Sequence, residues 1–241
     1  MRKLPKLDLL FGGRTSFLHN SPRGNTTMEM KNYLFFDTET TGIPDYKLDI
    51  TDDKQPRLLR LAAIMTDDKG RILDYMDSLI RITWGEVNES EVSEDGKKTA
   101  FAVNGITNKM LQEDGLPIES ILTAFRFMQD QCHEKIAYGY RFDGFVAKGE
   151  YARNNMDPGK EIERYCLMKA VSKLGKSKKI DLPHTKSPFY KLTDAYEAIF
   201  KKPLEGAHTP FADAMACKEI YFELKNRGFY EPQPRAKKPE K

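Results

Sequence analysis

Apolar residues along this chain fall into blocks of two different periods. Near the front the blocks are short and nearly continuous. "NYLFFDT" (32–38) is apolar and aromatic, the pattern of a buried strand. "RLLRLAAIMTD" (57–67) and "ILDYMDSLIRI" (72–82) read as two more strands, joined by a tight turn at Asp68 and Gly70. A polar loop, 43–56, separates them from the first.

Further along, the period lengthens. In 117–132, Ile118, Ile121, Leu122, Phe125 and Met128 recur at helical spacing, after a shorter helix in 107–115. "EKIAYGY" (134–140) predicts a short strand and 142–156 a helix. Segment 161–175 reads as a strand turning into a helix. Segment 190–200 is a helix with Lys191 or Thr193 near its start, and 209–228 a long final helix closed by Gly228. Three strands followed by alternating helices and strands predict an α/β domain, with a mixed central sheet flanked by helices.

The two ends read differently. Residues 1–30 contain "FGG" and "HNSPRGNTT", both loop signals, and are expected to be a flexible arm. Met28 or Met30 offers an alternative start. Residues 229–241 are rich in proline and basic residues and are expected to be a disordered basic tail. The domain itself is therefore placed at 31–228.

Composition narrows the class. The chain has 241 residues, 39% hydrophobic and 31% charged, enough for one large domain with extensions. No apolar run approaches the roughly 18 residues of a membrane span, and the front lacks the apolar stretch of a signal peptide. Cys132, Cys166 and Cys217 are scattered without metal spacing, which predicts reduced thiols in a cytoplasmic protein. The net charge of +3 matters less than its distribution. Residues 169–202 hold nine lysines against three acids, a segment that would track phosphates or simply be a solvated surface. Residues 84–99 are an acidic loop insertion carrying Glu86, Glu89, Glu91, Glu94 and Asp95.

Candidate chemistry starts where the first strand ends. Asp37 and Glu39 lie two residues apart, so on a strand they point to one face and can converge on a hard cation. A strand exit with two exposed acids is the plain alternative. In "HTPFADA" (208–214), Thr209 and Pro210 suit the N-cap and first position of a helix. His208 then falls in the preceding loop and Asp213 about one turn inside, where the helix dipole alone would also favour an acid. Asp143, in "YRFDGF", follows a strand and opens a helix, where it reads equally as an N-cap.

The ordered set Asp37, Glu39, Asp143, His208 and Asp213 resembles the DnaQ-like DEDDh 3′–5′ exonucleases, over about 32–226. "FFDTETTG" is similar to their first motif, "FD" at 142–143 to the second and "GAHTPFADAMAC" to the third. "VNGIT", "KGEYAR" and "KLTDAYEAIF" are supporting matches. One departure stands out: Tyr138 and Gly139 occupy the places of a histidine and asparagine that usually precede the second motif.

The resemblance implies an RNase H-like fold and a metal-dependent exonuclease that releases nucleoside monophosphates from single-stranded 3′ ends. DNA is favoured over RNA, in replication proofreading or repair. Two divalent ions, Mg²⁺ or Mn²⁺, would be bridged by Asp37, with Glu39 and Asp213 completing one site and Asp143 serving the other. His208 would be the base. Thr40, Thr41 and Gly42 would meet the terminal nucleotide, and Phe101 and Ile106 would wall the last bases unless they pack in the core. Lys178 and Lys179 would touch the backbone. The chain holds no polymerase domain, so proofreading would require a polymerase as partner. "KLDLLF" (Lys6 to Phe11) is similar to short sliding-clamp-binding peptides. The rival reading is a catalytically weakened nucleic-acid-binding or scaffold protein on the same fold.

Overall fold

The computed structural model describes residues 31–233. The clamp-like hexapeptide, the arm to residue 30 and the tail from residue 234 lie outside the described residues.

Five strands form one mixed sheet in the order β3-β2-β1-β4-β5. β1 (Tyr33–Thr40) pairs antiparallel with β2 (Leu58–Thr66), which pairs antiparallel with β3 (Ile72–Leu79). β4 (Glu134–Ala137) lies parallel to β1, and β5 (Glu163–Cys166) parallel to β4. This is the mixed sheet that the chain order implied and the RNase H-like arrangement that the family resemblance implied. The C-terminal ends of the three parallel strands therefore share one edge of the sheet.

Alternation along β1 divides the core. Tyr33 and Phe35 face one layer, which holds α5 (Leu167–Lys176), α6 (Leu192–Phe200) and α7 (Pro210–Asn226). Leu34 and Phe36 face the other, which holds α3 (Ile118–Asp130) and α4 (Tyr140–Arg153). Because β1 is central and covered on both faces, it needs an unbroken apolar run. Two short helices, α1 (Phe101–Asn104) and α2 (Asn108–Glu113), follow the acidic insertion. The sequence pattern missed α1, a single turn ended by Gly105 at φ 64°. Gly228 likewise adopts φ 72° just past α7, as expected of a residue that ends a helix.

The tail corrects its expected boundary. Residues 229–233 are docked. The Tyr230 ring stacks on Tyr165 with centroids 5.3 Å apart, and its hydroxyl donates to Glu134 Oε1 at 3.2 Å. The Gln233 amide accepts from Cys166 N–H at 2.9 Å and donates to Cys166 C=O at 2.8 Å. Proline and basic content suggested disorder, but two aromatic rings directly after the helix supply enough apolar area to seat this segment.

Candidate active site

Asp37 and Glu39 point toward the α7 face, as their spacing requires, while Thr38 between them is buried on the α4 side. Asp143 arrives from that opposite side. It is 4% exposed, and its Oδ1 accepts from the Thr38 hydroxyl at 2.7 Å and the Thr38 N–H at 3.2 Å. It is not an N-cap: α4 starts three residues earlier, behind Gly139, and has no side-chain cap. Asp213 sits in the first turn of α7, after Thr209 and Pro210, although the Thr209 side chain makes no cap bond. His208 precedes it in the left-handed region at φ 69°, a strained conformation for a non-glycine residue, and is exposed.

The electrostatics bind the four acids into one site. Burial, then the charges of Asp143, Asp213 and Glu39, push the Asp37 carboxyl well above the ordinary range. Burial raises Glu39 to about 7 against a side-chain bond from Asn104, with Asp213 and Asp143 adding to the rise. Burial also raises Asp143 to about 7, opposed by the two Thr38 bonds. Asp213 is raised by burial and drawn back by the charge and backbone of His208. Buried carboxylates that mainly face one another are poorly compensated, and Asp213 Oδ1 has no hydrogen-bond partner among the described residues. Among the described residues, no group of three or more His, Cys, Asp or Glu side chains stands ready-formed around a metal ion. The donor set is nonetheless all hard oxygen, which suits a cation that retains several waters and takes only one or two carboxylates directly.

A cavity of about 630 Å³ opens beside Glu39. Thr40, Thr41, Gly42, Phe101 and Ile106 all line it, so these five sequence-derived residues come together. Ile106 belongs to both readings: it is 2% exposed, packs with Leu59, Ile82 and Leu111, and still forms part of the wall. Phe142, Asn104 and Lys97 also reach the cavity without having been singled out. Phe142 precedes the second-motif aspartate and could have been found on that ground. Asn104 donates to Thr40 C=O at 3.3 Å, and no local signal marks that tertiary contact.

Lys178 and Lys179 do not join this site. α5 leaves the end of β5 and runs back along the sheet, so ten residues carry its far end about 15 Å away. The Lys179 ammonium lies 5.8 Å from the Phe229 ring centroid, beyond the C-terminus of α7, and Asp213 is at that helix's other end. The departure at 138–139 also has a structural counterpart. The Tyr138 hydroxyl lies 2.9 Å from both Tyr190 C=O and Lys191 C=O, tying down the entrance to α6. A side chain at Gly139 would begin 3.7 Å from Asp143 Oδ2, so glycine leaves open space beside that carboxylate.

The family model described as "Exonuclease" (RNase T) matches residues 34–221, most of the chain. The chain belongs to the exonuclease family. The fold agrees. Escherichia coli exonuclease I, in a zinc-bound complex with single-stranded DNA, superposes with a TM-score of 0.64 at 19% identity, covering 83% of this chain and 41% of that one. Its complex with a dA16 oligonucleotide gives 0.66 at 19%, covering 82% and 41%. Exonuclease I from Methylocaldum szegediense gives 0.62 at 20%, covering 82% and 41%. This exonuclease-family chain thus spans about 41% of the length of those proteins. No curated protein matches it. No helix among the described residues is long and apolar enough to cross a membrane.

Proposed function

We propose that this chain is a metal-dependent 3′–5′ exonuclease that releases nucleoside monophosphates from single-stranded DNA ends. The observation that carries the reading is the convergence of Asp37, Glu39, Asp143 and Asp213 on one sheet edge beside the cavity, with an unpartnered Asp213 oxygen. Neighbours crystallised with single-stranded DNA support DNA over RNA. The domain is taken as residues 31–228 together with the docked 229–233.

The four carboxylates would hold divalent ions, Mg²⁺ or Mn²⁺. Bound ions would neutralise charge on the attacking and leaving oxygens of a phosphoryl displacement. The chain's own residues do the rest. Thr38 holds the Asp143 carboxylate in place through two hydrogen bonds, and Asn104 steadies both Glu39 and Thr40. Phe101, Ile106 and Phe142 offer apolar surface to the terminal bases, a sequence-tolerant mode of recognition. His208, exposed just ahead of α7, would accept a proton from the attacking water.

The test is degradation of 5′-labelled single-stranded DNA and RNA with intact 3′ ends, with Mg²⁺ or Mn²⁺, beside an Asp37→Ala control. Metal-dependent shortening of DNA by wild type alone supports the proposal. Intact substrates with retained binding favour the scaffold reading, and preferential RNA loss moves the substrate to RNA. Clamp binding through Lys6 to Phe11 is a separate proposal. A pull-down with a sliding clamp should be lost on L10A/F11A.

A further inference from the structure

A second concavity, of about 480 Å³, lies on the other side of α4, between α3 and the β4–β5 end of the sheet. Its lining includes Lys135, Arg141, Lys148, Arg164 and Lys169, against a single carboxylate, Glu161. Glu161 is paired with Arg164. The Lys135 ammonium donates only to the neutral Gln129 Oε1, at 2.6 Å. Burial and the Arg164 charge hold it down to about 8. The Arg141 guanidinium lies 3.9 Å over the Tyr46 ring, a contact that leaves its charge uncompensated. No ion pair is formed by Lys148 or Lys169 among the described residues. Tyr140 and Phe145 add aromatic surface.

The groove and the active site meet the same end of α4. The groove begins at Tyr140 and Arg141, at the same helix end as Asp143, and Lys148 lies two turns further along α4. Gln233 forms part of its rim, and the sequence that follows, "PRAKKPEK", carries four basic residues and one acid.

We propose that this groove binds the phosphodiester backbone of the single strand on the 5′ side of the terminus held at the carboxylates. The strand turns over the N-terminus of α4, and Lys148, Arg164 and Lys169 meet its phosphates. This rests on the exonuclease reading for the direction of the strand. The cationic binding of a single strand does not depend on it.

The experiment uses the full chain and the triple variant K148A/R164A/K169A, all exposed positions, with thermal melting to confirm folding. Fluorescence anisotropy with a labelled dT16 would be read over a salt series, and turnover compared on dT16 and dT3. The variant is expected to bind dT16 at least tenfold more weakly. Its salt slope should fall by about 2, the change for three phosphate contacts at about 0.7 each on a single strand. Turnover of dT3 should be unchanged. Unaltered dT16 affinity and slope would overturn the groove, whatever the wild-type enzyme does to DNA ends. Loss on dT3 as large as on dT16 would overturn it too, because it would place these residues at the terminus. A wild type that binds dT16 with groove-dependent salt sensitivity but cleaves nothing would sink the exonuclease reading and leave the groove standing.

Discussion

The two ends of the parallel strands both bury carboxylates, and they treat them in opposite ways. At the N-terminal end of β4, Glu134 is 3% exposed, and both its oxygens are met: the Tyr221 hydroxyl donates at 2.6 Å and the Tyr230 hydroxyl at 3.2 Å. Burial pushes its carboxyl above the ordinary range, and those two bonds pull it back. At the other end, burial raises Asp37, Glu39, Asp143 and Asp213, the charge of Asp213 adds to the rise of the other three, and one oxygen of Asp213 has no donor among the described residues. A buried acid kept for structure is given donors. A buried acid kept for chemistry is left short of them, and the deficit is what a cation would fill.

This contrast can be broken by exchange. The largest effect is expected from Asp37→Asn, which should lower turnover on single-stranded DNA by about a thousandfold or more. The metal-free protein should melt no lower, because a source of repulsion is gone. If it melts much lower, Asp37 is a structural acid like Glu134. Next, His208→Gln should reduce turnover about a hundredfold. Oligonucleotide affinity and melting should hold, since the side chain is exposed.

Glu134→Ala should do the reverse. It strands two tyrosine hydroxyls and should cost about 2 kcal/mol in denaturant unfolding, with turnover at low temperature retained. The smallest effect is in pH. Glu39 and Asp143 are both pushed up to about 7. The folded, metal-free protein therefore holds its protons more tightly than the unfolded chain does. The stability contributed by these protons is complete below about pH 4 and is lost as pH rises through 7. Melting temperature without metal should fall by a few degrees between pH 5 and 8. Asp143→Asn should flatten the decline, and Mg²⁺ should raise the melting temperature more at pH 8 than at pH 5. A metal-free profile that climbs through 7 would contradict the arrangement.

Much of this was legible in the sequence because it is carried by local pattern. The run from Tyr33 to Phe36 can only be a doubly covered strand, and two-residue spacing fixes the shared face of Asp37 and Glu39. Thr209 and Pro210 mark where α7 begins, and thus where Asp213 lies. What escaped was what tertiary packing decides. Asp143 looked like a helix cap, and only the approach of Thr38, 105 residues earlier in the chain, shows otherwise. Lys178 and Lys179 were expected at the nucleic-acid backbone from the family resemblance, but the direction in which α5 runs carries them away from the site. The cationic groove was invisible because its lysines and arginines come from α4, β4, β5 and α5, never as a run.

β5 is an outer strand of the sheet, and such a strand exposes N–H and C=O groups that can recruit another chain. The Gln233 side-chain amide satisfies both groups of Cys166 in the manner of a neighbouring strand. A chain cut at Gly228 would keep Asp37, Glu39, Asp143 and Asp213 yet uncover the Cys166 groups, so removing the last 13 residues is expected to leave a strand edge open to pairing with another chain.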